Sequence, residues 1–205
     1  MNSSRLSSVA LLWLLGACFA AATSVAHADP VVGFDPTSQT VTLGNQVSVD
    51  IVISDLGDGV APSLAQWDFD VTYDDTILDF VSVAFGTELS LNSPSTTTTL
   101  DGVQFVGLTE MSNDSAATLI ADQAPAFVMA TLTFDTIGTG TTLLGIDLFA
   151  LKDTNDDALI RTFGPTGSAK VTVTPEPGAL LLVALGIGGA VAWRRRRRQR
   201  TATRI

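Results

Sequence analysis

The acidic segment from Asp153 to Asp157 has the spacing of a calcium-binding loop. Asp153, Asn155 and Asp157 provide oxygen atoms at positions i, i+2 and i+4, and alternate residues of a tight turn can bind one calcium ion. A full EF-hand loop is not predicted, because Ala158 replaces its required glycine and Gly164 its bidentate glutamate. Two interpretations stay open, a calcium site and an Asx-rich turn that bonds its own backbone, and the turn is favoured.

Carboxylates are the side chains that remain for acid–base catalysis. Cys18 and His27 are the only cysteine and histidine, and both precede the expected start of the mature chain. This excludes Ser-His-Asp and Cys-His nucleophiles, imidazole or thiolate zinc sites and disulfides. Glycoside hydrolysis can use two acids roughly 5 to 10 Å apart, and Glu88, Glu110 and many aspartates are candidates, but no signature selects a pair. We predict a non-catalytic protein without a cofactor other than calcium, with a carboxylate-based carbohydrate-active hydrolase as an alternative.

Residues 1–28 have the organisation of a secretory signal peptide. A positively charged start precedes the apolar stretch Val9 to Ala17, and Ala26 and Ala28 are the small residues that signal peptidase reads. Cleavage is therefore predicted after Ala28. A loose lipobox that ends at Cys18 is the competing interpretation, in which Cys18 would become a lipidated N-terminus.

The C-terminus holds three segments in order, which are the tripeptide Pro175-Glu176-Pro177, the uncharged apolar run 178–193 and the arginine cluster 194–198. The prolines lack backbone donors and predict a hinge. Sixteen residues rise about 24 Å as a helix, slightly less than the roughly 30 Å of a bilayer core. Arginines beside a membrane segment stay cytoplasmic. We therefore predict an inner-membrane helix at 178–193, a basic tail at 199–205 and a main domain outside the cytoplasm.

The three C-terminal segments together resemble the PEP-CTERM sorting signal of Gram-negative bacteria. The resemblance implies recognition by an exosortase, a membrane-embedded cysteine protease that processes the tail and releases the protein. The predicted path leads from the inner membrane, with the main domain in the periplasm, to the cell surface or exopolysaccharide matrix. Exosortase and signal peptidase are the expected processing partners. The residues assigned to recognition, and not to catalysis, are Pro175, Glu176, Pro177, Arg194, Arg195 and Arg196.

Residues 29–174 have the hydrophobic pattern of one all-β domain. Apolar residues alternate with polar ones from Val47 to Ser54 and from Trp67 to Tyr73, which predicts strands with one buried face. The spacing indicates a β-sandwich or jelly roll of about eight or nine strands. A polar loop is predicted at Ser93 to Thr99, and Asp114 to Gln123 is either a short helix or a loop. Further predicted strands are 41–43, 78–85, 103–108, 127–135, 141–151 and 170–173.

Several stretches of this domain resemble cohesin modules. An aromatic strand that ends in a Tyr-Asp turn, residues 67–74, is followed by an aliphatic strand at 78–83, and 130–134 and the Asp/Asn-rich stretch 151–160 also fit. The resemblance implies a cohesin-like sandwich, a fold whose members bind dockerin modules or carbohydrate. Trp67 has two interpretations, a sugar-stacking surface or a core position, and its alternation with Asp68 favours the core.

The domain is strongly acidic. Three basic and twenty acidic residues between 29 and 174 give a formal net charge of −17, which repels nucleic acid and anionic membranes. We therefore predict no nucleic-acid partner. The sequence favours a non-catalytic surface protein that binds carbohydrate or other matrix components, with a cohesin-type protein-binding module as an alternative.

Overall fold

The computed structural model describes residues 29–159, 162–163, 167–176 and 178. The predicted signal peptide, with Ala26 and Ala28, lies outside these residues, as do Pro177, most of the predicted membrane helix and the arginine cluster. No helix in the described part is long and apolar enough to cross a membrane.

The described residues form a two-layer β-sandwich with one short helix. One sheet has five strands in the order β10-β1-β3-β8-β5, and the other has six in the order β2-β11-β9-β4-β7-β6. Neighbouring strands are antiparallel except for the pairs β1–β10 and β2–β11. The elements are β1 (Val31–Asp35), β2 (Ser38–Thr42), β3 (Gln46–Ser54), β4 (Gln66–Thr72), β5 (Leu78–Phe85), β6 (Thr96–Gly102), β7 (Phe105–Met111), α1 (Ala116–Asp122), β8 (Phe127–Thr136), β9 (Gly140–Lys152), β10 (Thr162–Phe163) and β11 (Ser168–Thr174).

The core forms because alternate residues of the strands face the opposite sheet. In β3 and β4 every second residue is buried and apolar, and the residues between them are at least partly exposed, as the period-two pattern predicts. Trp67 has no exposed surface and stacks on Phe69 and Phe85 at centroid distances of 4.5 and 5.7 Å. Tyr73 and Phe80 pack edge-on against Phe134. The core interpretation of Trp67 is confirmed.

The two ends of the sandwich are built differently. We call one the turn end, where the connections 43–45, 73–77, 103–104 and 137–139 meet and where β11 ends. The opposite end, which we call the loop end, contains the connections 55–65, 86–95 and 112–126 and the turn that follows β9. The loop end also contains α1, whose N-cap Ser115 accepts a hydrogen bond from the Thr118 amide. The helix interpretation of the segment 114–123 is therefore the right one.

The sandwich prediction is confirmed, but the strand count was too low. Eleven strands lie within the described residues, and β1, β6 and β10 were not predicted. The predicted loop at Ser93 to Thr99 is wrong from Thr96 onward, because β6 pairs with β7 along its whole length. No sheet covers β6, so six of its seven residues are exposed and its sequence has no alternation to reveal it. The two-residue strand β10 is too short to carry a pattern.

Candidate functional site

The sorting tripeptide directly follows the folded domain. Strand β11 ends at Thr174, whose carbonyl oxygen accepts a hydrogen bond of 2.9 Å from the Leu43 amide. Pro175 and Glu176 follow at once and are exposed. Because proline has no N–H, Pro175 could not continue the hydrogen-bond ladder. The tripeptide therefore begins where the sheet ends, without an intervening linker.

The outer surface of the six-stranded sheet carries a row of acidic residues. Asp68 and Asp70 of β4 face outward between the buried Trp67, Phe69 and Val71. Asp70 lies opposite Asp147 of β9 in the strand register. Burial and the neighbouring carboxylates of Asp68 and Asp147 raise the pKa of Asp70. We call this surface, which β6, β7, β4 and β9 form, the open face, and its central residues are Asp68, Asp70, Thr72, Leu100, Gly107, Thr109, Gly145 and Asp147.

Two glycines keep the centre of the open face flat. A Cβ atom at Gly107 would lie 3.0 Å from Asp70 Oδ1 and 3.4 Å from the Leu100 Cβ atom. A Cβ atom at Gly145 would lie 2.9 Å from the Thr72 hydroxyl oxygen. The open face therefore offers carboxylates on a shallow surface, and Leu100 beside them is one of the exposed large hydrophobic residues of the domain.

The predicted calcium residues form a turn that bonds to itself. Asp153 Oδ1 accepts hydrogen bonds from the amides of Asn155 and Asp157 at 2.8 and 3.0 Å. Asp153 Oδ2 accepts another from the Asn155 side chain at 3.2 Å. The carboxylate of Asp156 pairs with the Lys152 ammonium group at 2.6 Å. This is the geometry of an Asx turn, and calcium binding there stays a prediction.

The turn borders a cleft of about 230 Å³ at the loop end. Its carboxylates come from Asp114, Asp153 and Asp156, but Asp114 already accepts hydrogen bonds from the Asn92 amide. Within the part of the chain that the structure describes, no group of three or more acidic, histidine or cysteine residues is placed to hold a metal ion. The remaining lining residues are Ala65, Gln66, Met111, Ser112, Ala116 and Thr154.

The two glutamates considered for hydrolysis both have structural roles. Glu110 is 1% exposed and accepts a hydrogen bond of 2.7 Å from the Ser95 hydroxyl. Burial raises the pKa of Glu110, and this hydrogen bond opposes the rise. Glu88 accepts a hydrogen bond from the Ala124 amide at 2.9 Å. Glu110 is therefore closed to a substrate, whereas Glu88 is partly exposed.

Gln123 is an important residue that the sequence analysis missed. Its buried amide group accepts a hydrogen bond from the Leu64 amide at 2.7 Å and donates to the Leu64 carbonyl at 2.9 Å. It also donates to the Glu88 carbonyl at 3.2 Å. This side chain therefore joins three connections of the loop end. A single glutamine after a short helix has no sequence pattern that distinguishes it from an exposed one.

Comparison with known proteins identifies the C-terminal motif and the fold. A model described as the PEP-CTERM protein-sorting motif matches residues 173–197. This segment includes the tripeptide, the apolar run and the first four arginines of the cluster, so the chain carries this sorting motif. The comparison with curated proteins gave no match.

The solved structures similar to this chain include cohesin modules. A type I cohesin–dockerin complex from Clostridium thermocellum aligns with a TM-score of 0.57 and 10% identity over 72% of this chain and 100% of that one. CaCohA2 from Clostridium acetobutylicum aligns with a TM-score of 0.57 and 17% sequence identity, and the alignment covers 72% of this chain and 92% of that one. A non-cellulosomal cohesin from Archaeoglobus fulgidus aligns with a TM-score of 0.53 and 12% sequence identity, and the alignment covers 74% of this chain and 96% of that one. The described domain therefore has a cohesin-like fold.

Proposed function

We propose that this chain is a non-catalytic protein that an exosortase-type system sorts to the cell surface. The sorting motif at residues 173–197 supports this proposal. In the proposed pathway the apolar run first anchors the protein in the inner membrane with its domain in the periplasm. The motif residues Pro175, Glu176, Pro177 and Arg194 to Arg196 are proposed to be recognised by the processing enzyme. Because the fold ends at Thr174, cleavage within or after the tripeptide would leave every described strand intact.

We further propose that the displayed domain binds a partner protein through the open face. The acidic row on a flat surface is the observation that carries this proposal, since Asp68, Asp70 and Asp147 fit a partner with lysine or arginine side chains. The similar structures include cohesins in complex with dockerins, which supports a dockerin-like protein partner. Trp67 is buried, so it gives no support to sugar stacking.

Capture experiments with the mature exported protein test the open face. A variant that combines Asp70→Ser with Asp147→Ser should lose at least tenfold in affinity for the captured partner. Asp79→Ser with Asp135→Ser is the matched control, since these two residues are also a cross-strand acidic pair but belong to the other sheet. Equal loss in both variants would indicate a general charge effect and would contradict the proposed surface.

Association with the exopolysaccharide matrix is a second proposal, and the sorting motif is its only support. Cosedimentation of the mature protein with isolated exopolysaccharide tests it. If binding persists after protease treatment of the polysaccharide, a glycan ligand is indicated. If binding disappears, the matrix association runs through a protein and supports the open-face proposal.

A further inference from the structure

The sorting motif and the folded domain share two residues. The motif match begins at Val173, whereas β11 continues to Thr174. Val173 is 2% exposed and belongs to the core. Part of the matched segment is thus enclosed in the sheet, and the exposed part begins at Pro175.

Both edges of β11 are occupied near its end. On one side Val173 is paired with Gly140 of β9. On the other side Thr174 is paired with Thr42 of β2, and its hydroxyl donates a hydrogen bond of 3.2 Å to the Val41 carbonyl. A protein that binds an extended peptide does so through the same backbone groups. The backbone groups of Val173 and Thr174 are therefore unavailable to such a protein while the end of β11 stays in the sheet.

The chain offers little length beyond the sheet. Three residues separate Thr174 from Gly178, where the apolar run begins, and the four steps from one Cα atom to the other span at most about 14 Å in an extended chain. A protease that reached the tripeptide from the membrane side would therefore meet the turn end of the sandwich. Binding of any residue before Pro175 requires the last residues of β11 to separate from β2 and β9.

We propose that Val173 and Thr174 form the N-terminal part of the segment that the processing protease binds, and that they become accessible only when the end of β11 leaves the sheet. This inference rests on the proposed sorting by an exosortase. Terminal segments of a fold open at a lower free energy than its core, so the domain can stay folded while its last strand opens. The rate of tail processing is then limited by the opening of the hydrogen bonds that Val173 and Thr174 make in the sheet.

A disulfide across the end of β11 tests this inference. Thr42→Cys with Thr174→Cys joins two register partners at the turn end, and Ser38→Cys with Lys170→Cys joins two partners of the same strands four residues earlier in β11. The full chain is followed by pulse–chase and mass spectrometry in cells that express an exosortase. We expect the turn-end disulfide to slow tail processing at least tenfold, with recovery after reduction. The disulfide between positions 38 and 170 should leave processing at the wild-type rate.

A second variant acts in the opposite direction and does not depend on a disulfide. Leu43→Pro removes the amide that donates to the Thr174 carbonyl and should accelerate processing several-fold. Circular dichroism of the released domain checks that it remains folded. If the unmodified chain is not processed at all, the proposed sorting fails together with the inference. If it is processed and the turn-end disulfide has no effect, the inference alone is overturned.

Discussion

The two ends of the sandwich are held together by different interactions. At the turn end the connections are short: residues 103–104 join β6 to β7 in a continuous register, and residues 137–139 lead from one sheet to the other. At the loop end, side chains bridge longer connections, with Gln123 as the clearest case. The turn end, which precedes the sorting motif, combines these short connections with a buried hydroxyl, that of Thr136, which donates a hydrogen bond to the Asn45 carbonyl. The loop end depends on a few buried polar groups far apart in sequence.

The largest expected effect concerns the aromatic cluster nearer the loop end. Trp67→Ala should lower the free energy of unfolding by about 3 to 5 kcal/mol, because a fully buried ring leaves a cavity. Phe80 belongs to a second aromatic cluster, with Tyr73 and Phe134, nearer the turn end. Phe80→Ala should lower the free energy of unfolding by less, because Phe80 is only partly buried. Urea denaturation measures both. A loss below about 1 kcal/mol for Trp67→Ala would contradict its core position.

Gln123→Ala should produce the next largest loss. The substitution leaves the Leu64 amide and carbonyl groups buried without partners, and each such group costs about 1 to 3 kcal/mol. Gln39→Ala is the matched control, since Gln39 also donates a hydrogen bond to a backbone carbonyl, that of Ser48, but at the surface. The control should change the free energy of unfolding by less than about 0.5 kcal/mol. Equal effects of the two substitutions would show that the loop end does not depend on Gln123.

Glu110→Gln should change the pH dependence of stability. Burial raises the pKa of Glu110 in the folded state, so the carboxyl stabilises the fold while it is protonated and loses this contribution as pH rises through the raised pKa. A tenfold change in a protonation equilibrium corresponds to about 1.4 kcal/mol. Glutamine remains neutral, so the free energy of unfolding of the variant, measured in urea titrations, should rise relative to that of the wild type as pH increases above the ordinary glutamate pKa of about 4.3. Parallel pH profiles of the two proteins would contradict a raised pKa.

The sequence reveals those features that depend on local alternation. Strands β3 and β4 were predictable because their apolar residues alternate, and the burial of Trp67 followed from the same pattern. Strand β6 was missed because both of its sides face solvent, so its four threonines and Asp101 carry no sign of a sheet.

The candidate binding surface was not predictable at all. The open face exists because Asp70 and Asp147 are neighbours in register, although 77 positions separate them in the chain. Any of the twenty acidic residues of the domain is an equally good candidate before the strand order is known. The sorting motif, in contrast, was predictable from the sequence, because its residues are consecutive in the chain.

A substitution at the turn end should have a smaller effect of the opposite sign, a gain in stability. Gln104 has a φ of 65° in the hairpin between β6 and β7, a conformation that costs non-glycine residues roughly 1 to 2 kcal/mol. Gln104→Gly should therefore stabilise the protein by about 1 kcal/mol, measured as a higher urea midpoint with an unchanged slope. Val103→Gly, at the neighbouring position without a positive φ, should be neutral or destabilising. A less stable Gln104→Gly variant would contradict strain at this turn.

The smallest effect distinguishes the two interpretations of the Asp153 turn. Because Asp153 already accepts hydrogen bonds from its own backbone, we expect Asp153→Ala to cost about 1 kcal/mol and calcium to leave the melting temperature of the wild type unchanged. Asp156→Asn, which removes only the exposed charge paired with Lys152, should cost less than about 0.5 kcal/mol. A calcium-dependent rise in melting temperature that Asp153→Ala abolishes would instead establish a metal site, and the loop end would then hold an ion-dependent structure that the turn end lacks.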